Sequence, residues 1–334
     1  MTHHPWHHSQ VGYDMEKYGV GHRFPLERYK ISQMLNRHWR GMFWTGIESL
    51  TRGWRPYTVS LTPGIYCPNR CHCCPWDIYR DSCNRNNLSM MTIDTFQKIL
   101  KNTPMMYVVE WCGFCECFTN PLTPDFIALG WKSKRRMQLS STLVGLTKDG
   151  AKKIDGVKFE KVIIHCPDSV NFITNEDKWI SNWLHSLDGI NIGFVTFQSL
   201  GPISDKIYNA VSKYGLYQTI PGIEGRADAY TVPRNVTGSI ECHSYCKGGN
   251  YLFVRPNGDL HYCPNDWNYE FVMGNLAEQP LREITQGKKF KDYERSMNSQ
   301  NDPILCRRCF YAVTKNNPWK VNAEDNFTKV RFVL

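Results

Sequence analysis

Fourteen of the 334 residues are cysteine, and they are grouped rather than scattered. In Cys67-Pro68-Asn69-Arg70-Cys71-His72-Cys73-Cys74, the thiols of Cys67, Cys71 and Cys74 are separated by three and then two residues. A short loop with that spacing can bring three thiolates to one iron–sulfur cluster and supplies no fourth ligand. An iron with an open coordination position is what chemistry requires, by the logic that separates catalytic from structural zinc sites. Two alternatives stay open: a zinc site that adds His72, and a cluster held by Cys67, Cys71 and Cys73. A second group begins at Cys246, with 11 residues between it and Gly258, four between Gly258 and Cys263, and 42 between Cys263 and Cys306-Arg307-Arg308-Cys309. Four thiolates there could saturate a cluster or a structural zinc. Cys242 also fits the first spacing and competes with Cys246. Cys83, Cys112, Cys115, Cys117 and Cys166 carry no role, unless Cys112, Cys115 and Cys117 form a third metal site.

Composition excludes several classes. Aromatic content of 13% and hydrophobic content of 41% are too high for a disordered chain. Apolar runs stay far below the roughly 18 residues that span a bilayer, so no membrane association is expected. The first ten residues are His-rich with no apolar core, which is not a secretory signal. A reducing, cytoplasmic setting is therefore expected, where clustered thiols bind metal or catalyse. The formal charge of +9 is weak grounds for a nucleic-acid partner.

The elements that must hold these cysteines alternate between strand and helix. Strands are predicted at 57–61, 106–111, 137–142, 161–165 and 190–197. Helices are predicted from Thr92 as N-cap to about 102, then at 125–136, 147–155, 176–187 and 204–214. Five alternating strands imply parallel pairing, with functional loops at the strands' C-terminal ends. Beyond 222 the alternation stops, and Pro256-Asn257-Gly258 between two short apolar runs predicts a hairpin over 251–262. The chain thus divides into a basic, aromatic extension (1–56), an α/β region (57–222) and a cysteine-bearing region (223–334).

The Cys-x3-Cys-x2-Cys loop after the first strand of a β/α domain resembles the radical S-adenosylmethionine (SAM) superfamily. Gly113-Phe114-Cys115-Glu116-Cys117 resembles the superfamily's Gly-x-Gly-Glu-Pro stretch, with Cys115 in place of the second glycine and Cys117 in place of proline. The stretch 140–147 resembles another part of the same barrel, and Gly225-Arg226-Ala227-Asp228 resembles its Arg-Ala-Gly-Asn segment. The C-terminal cysteine pattern resembles the shortened SPASM, or Twitch, domain, with spacing close to that of Twitch-containing aminocyclitol dehydrogenases. The resemblance implies a partial (β/α)6 TIM-like barrel with a small C-terminal auxiliary-cluster domain containing a β-hairpin. It implies one [4Fe–4S] cluster on Cys67, Cys71 and Cys74 and a second on Cys246, Cys263, Cys306 and Cys309. Gly113, Cys115, Glu116, Ser141 and Arg226 would lie around SAM, which is cleaved reductively to a 5′-deoxyadenosyl radical. An external one-electron donor of flavodoxin or ferredoxin type is implied as partner.

The substrate reads as a small metabolite or ribosomal peptide. A nucleobase or nucleoside in DNA or RNA is the alternative, given the arginines and tryptophans of 1–56. A non-catalytic, metal-stabilised binding protein is the reading from another class. His165, Cys166 and Asp168 close the fourth strand, where residues facing substrate or SAM would sit.

Overall fold

The computed structural model describes residues 58–71, 74–168, 175–219, 236–242, 251–300, 302–309 and 311–315. The extension 1–56, Cys73, Arg226 and Cys246 lie outside them. Six strands run parallel in chain order: β1 (Thr58–Leu61), β2 (Val108–Trp111), β3 (Arg136–Ser141), β4 (Lys161–His165), β5 (Val195–Ser199) and β6 (Gly215–Thr219). Between them lie α1 (Trp76–Arg85), α2 (Ile93–Asn102), α3 (Thr123–Lys132), α4 (Lys148–Lys153), α5 (Glu176–Asn182) and α6 (Asp205–Val211). The sheet stays open, with β6 at one edge. The expected partial barrel is the architecture found.

Strand periodicity divides the sheet's two faces. Val59, Leu61, Val109, Trp111, Met137, Leu139, Val162, Ile164, Val195 and Phe197 are all buried. They meet the helices, as in the packing of Trp111 with Phe96 of α2 and Phe126 of α3, at 5.2 and 6.1 Å between ring centroids. The intervening positions face the concave side and are mostly polar: Ser60, Glu110, Gln138, Ser140, His165 and Gln198. Branched apolar residues fill the interior of a closed β/α barrel. Here that interior is a polar trough.

Beyond the barrel, β8 (Tyr251–Val254) pairs parallel with β1, and Tyr251 lies opposite Thr58. Then β9 (Asp259–His261) and β10 (Val272–Asn275) continue the same sheet antiparallel. The predicted hairpin is thus built into the barrel's own sheet. Gly258 turns it with φ of 95°, and a Cβ there would stand 2.7 Å from the Cβ of Ala277. A second, two-stranded sheet joins β7 (Ile240–Cys242) to β11 (Ala312–Thr314). The helices α7 (Leu281–Gln286) and α8 (Lys288–Ser296) follow β10.

Three expectations shift. The fifth strand lies at Val195–Ser199 rather than 190–197, because Gly189 and Gly193 adopt positive φ and put Ile190 and Ile192 in a turn. The fourth predicted helix, 176–187, ends at Asn182, and a 3-10 turn follows at Leu184–Leu187. Helix α1 and strand β6 were not predicted. Among the described residues no helix is long and apolar enough to cross a membrane.

Candidate cluster sites and substrate trough

The first cysteine loop leaves β1 and ends in α1. Cys67, Cys71 and Cys74 are in no disulfide and are partly exposed, and the Cys74 amide donates to the Cys71 carbonyl at 3.1 Å. Burial pushes the Cys67 thiol up to about 11. Such a thiol ionises readily only against a strong cation, which is the condition metal ligation provides. Asn69, inside the same loop, donates to Thr142 Oγ1 at 2.7 Å, while among the described residues its own buried Oδ1 has no partner. The three-thiol donor set fits a cluster at this loop. A cavity of about 750 Å³ opens beside it, lined among others by Asn69, Phe118, Thr119, Gly145 and Lys178.

The stretch after β2 is shaped by close approach. Gly113 has φ of 104°, and a Cβ there would stand 1.9 Å from Thr62 Oγ1. Glu116 lies buried with both carboxylate oxygens engaged. It accepts from Ser141 Oγ at 2.7 Å, from the amide and hydroxyl of Thr142 at 2.6 Å each, and from the Phe118 amide at 3.2 Å. The Ser141 hydroxyl also accepts from the Leu143 amide at 2.8 Å. Glu116 and Ser141 thus clamp the loops after β2 and β3 together.

Cys112, Cys115 and Cys117 diverge, and no third metal site forms from them. Burial pushes Cys112 up to about 12; its neighbours are Glu110, whose charge also raises it, and the Ser140 side chain, on the concave side. Cys115 points back toward Gly64 and the charge of Cys67. Cys117 belongs to the helix-packed core and meets Glu116 Oε1 at 3.5 Å. Cys166 is buried, Asp168 accepts from the Leu200 amide at 3.0 Å, and His165 Nε2 meets Ser140 Oγ at 3.3 Å.

The C-terminal cysteines gather around Asn265 and Tyr293. The Asn265 amide donates to Cys263 Sγ at 3.5 Å and its Nδ2 to Cys309 Sγ at 3.7 Å. Tyr293 meets Cys306 Sγ at 3.6 Å. Burial pushes Cys306 up to about 12, and the nearby charges of Cys309 and Cys242 add to it. Cys242, on β7, therefore lies with the set; Cys246 lies outside the described residues. Hydrogen-bond donors aimed at sulfur suit thiolate ligands of a cluster. Among the described residues no three His, Cys, Asp or Glu side chains stand close enough to hold a single metal ion.

Two buried groups missed in the sequence hold this arrangement. Arg255 is fully buried: it donates to Ser82 Oγ of α1 at 3.0 Å and to the carbonyls of Asp266 and Trp267 at 2.8 and 3.1 Å. Its guanidinium lies 4.4–4.8 Å from the ring centroids of Tyr79, Phe114 and Tyr269. It therefore joins the helix after the first cysteine loop to the loop bearing Cys263. Arg307 donates to the backbone carbonyls of Asp302, Val236, Gly238, Ser296 and Ser299, fixing the turn between Cys306 and Cys309.

Residues 242–310 match the SPASM family, an iron–sulfur cluster-binding domain. Fold and site together define a parallel α/β half-barrel that carries an iron–sulfur domain on its own sheet. Among solved structures, the chain is similar to Streptococcus suis SuiB bound to precursor peptide SuiA, at 11% identity over 76% of this chain and 70% of that one, with a TM-score of 0.50. It is also similar to BtrN in complex with AdoMet and 2-DOIA, at 13% identity over 73% and 88% of the two chains, with a TM-score of 0.46. A third is native anSMEcpe with bound AdoMet and Cp18Cys peptide, at 12% identity, 76% and 86% coverage and a TM-score of 0.47. No curated protein matches the sequence. The likeness to SuiB is one of fold.

Proposed function

We propose that this chain is a radical SAM enzyme, with Cys67, Cys71 and Cys74 holding the cluster that meets SAM. When bound, that pair supplies a carbon radical able to take hydrogen from an unactivated C–H bond. The observation that carries the reading is a three-thiol loop at the C-terminal end of β1, beside the glycine-tightened loop after β2. Glu116, Ser141 and Asn69 hold these loops in register, so the backbone of 113–116 can orient the amino acid end of SAM. The trough shelters the reacting groups, and the helix-packed face of the sheet excludes water from behind. Cys263, Cys306, Cys309 and Cys242 would hold the auxiliary cluster, with Asn265 and Tyr293 aimed at their sulfurs. An external one-electron donor of flavodoxin or ferredoxin type would supply reducing equivalents.

The test is anaerobic reconstitution with iron and sulfide, then reduction in the presence of SAM. 5′-Deoxyadenosine should form, with iron near eight per chain for two clusters. Replacing Cys67, Cys71 and Cys74 by alanine should abolish it; product formation by that variant sinks the proposal. Cys242→Ala should lose about half of the iron while Cys246→Ala keeps it; the reverse result would move the fourth ligand to Cys246.

A further inference from the structure

Cys115 stands where the stretch it resembles carries a glycine. Glycine there leaves room for the close approach of a ligand; this chain fills the room with a thiol. The surroundings of that thiol belong to the first cysteine loop. A Cβ on Gly64 would stand 3.0 Å from Cys115 Sγ and 2.5 Å from Thr119 Oγ1, so both side chains press on the turn after β1. Thr119 Oγ1 also donates to the carbonyl of Tyr66, the residue before Cys67, at 3.4 Å. The Cys67 thiol has the backbone amides of Asn69 and Glu116 as donors, and Glu116 directly follows Cys115. The charges of Cys67 and Glu116 both act on Cys115.

Cys74 approaches from the other side. Cys74 and Cys115 pack against one aromatic group, formed by Tyr79, Phe114, Phe253 and Trp267. Tyr79 fixes that group to the loop by donating to the Gly64 carbonyl at 2.6 Å. Cys83 belongs to the same group but meets Arg255 Nη1 at 3.8 Å, and Cys117 lies in the helix-packed core. Cys115 is thus a fourth thiol beside a loop that itself offers three. Four thiolates saturate a four-iron cube, which holds them at its corners, further apart than the ligands of a single ion.

We propose that Cys115 is the fourth ligand of the first cluster while SAM is absent, capping the iron that SAM later takes. The inference rests on the radical SAM reading for the exchange, though not for the ligation. The exchange needs no oxidant or reductant. The bond from iron to the Cys115 sulfur breaks, and bonds form to the amino nitrogen and a carboxylate oxygen of SAM. The proton that the ammonium group gives up passes to the released thiolate. Until then, the capped cube keeps its reactive corner from water and oxygen.

The test is mild ferricyanide oxidation of the reconstituted full chain without SAM, followed by electron paramagnetic resonance. A cube on three thiolates sheds its uncapped iron on oxidation and leaves a three-iron cluster with a spin signal; a cube on four keeps its iron. Wild type should give little of that signal, and Cys115→Ala and Cys115→Gly should each give about one three-iron cluster per chain. The variant with Cys67, Cys71 and Cys74 all replaced by alanine supplies the background from the second cluster. SAM affinity, by equilibrium dialysis, should rise about tenfold in both Cys115 variants, as for a site otherwise open in about one molecule in ten. Cys83→Ala, a truncation in the same aromatic group, should behave as wild type. Iron content and far-UV circular dichroism check folding, and either Cys115 variant suffices if the other misfolds. Equal signal in wild type and variants, unchanged SAM affinity, or release of the iron by Cys73→Ala and not by Cys115→Ala would overturn the proposal. If wild type and variants alike form no 5′-deoxyadenosine, the enzymatic reading fails instead, and the oxidation still decides whether Cys115 is a ligand.

Discussion

Replacing Arg255 tests whether one buried cation ties the two cysteine regions together. Arg255→Met keeps most of the stem's apolar volume and removes the contacts to Ser82, Asp266 and Trp267. Two carbonyls left unpaired cost about 1–3 kcal/mol each, and loss of a desolvated cation over three rings adds about 2 kcal/mol. Against this stands relief of a buried charge, worth several kcal/mol, since among the described residues no carboxylate pairs with Arg255. The net loss should be about 2–4 kcal/mol. Arg255→Lys should be no better, because an ammonium keeps the desolvation cost but cannot span Ser82 and both carbonyls. Urea unfolding of reconstituted protein, followed by far-UV circular dichroism with iron measured in parallel, gives the comparison. Both variants should lower the midpoint, and both should lose iron from the two sites together. If lysine is tolerated and methionine is not, charge rather than fork geometry holds the regions together and the reasoning fails. Iron lost from one site alone would refute the bridge.

Glu116→Gln should cost about 2–4 kcal/mol, because an amide nitrogen would face the Thr142 amide and charge-assisted bonds would be lost. Thermal unfolding measures this, and SAM affinity by equilibrium dialysis should fall with it. Glu110→Gln should grow more stable relative to wild type as pH rises above the ordinary carboxylate range. Burial raises the folded-state pKa of Glu110, so the native state holds its proton more tightly, and wild-type stability falls as pH climbs through that pKa. A stability difference that does not change with pH would contradict the burial argument.

Much of the barrel was legible because parallel strands buried on one face carry strong β-branched runs, such as Lys161–His165. The Thr92 cap was legible from side-chain chemistry, and Thr92 Oγ1 accepts from the Thr95 amide at 3.1 Å. Helix α1 was hidden because Trp76–Arg85 starts inside a cysteine-rich loop and is largely polar outside Tyr79, Ser82 and Cys83. Strand β6 was hidden because Gly215-Leu216-Tyr217-Gln218 offers almost no apolar alternation. The thiol groups stood out through spacing alone. The trough did not, because Gln138 and Gln198 read as ordinary solvent-facing positions. Glu110 was the available signal: a single acid within a strand whose four residues are all buried. Arg255 and Arg307 act through long-range packing, which no local pattern encodes.

Strand β8 has a consequence for how this protein can be shortened. It seals the edge of β1, pairing residues almost two hundred positions apart in the chain. A fragment ending at the close of β6 would leave β1 with an open row of amides and carbonyls, flanked by Val59 and Leu61. Such a flat, apolar edge recruits other chains. The barrel therefore cannot be treated as a cassette to be detached from its iron–sulfur partner and exchanged. A fragment that keeps the edge of β1 covered must run at least through Val254.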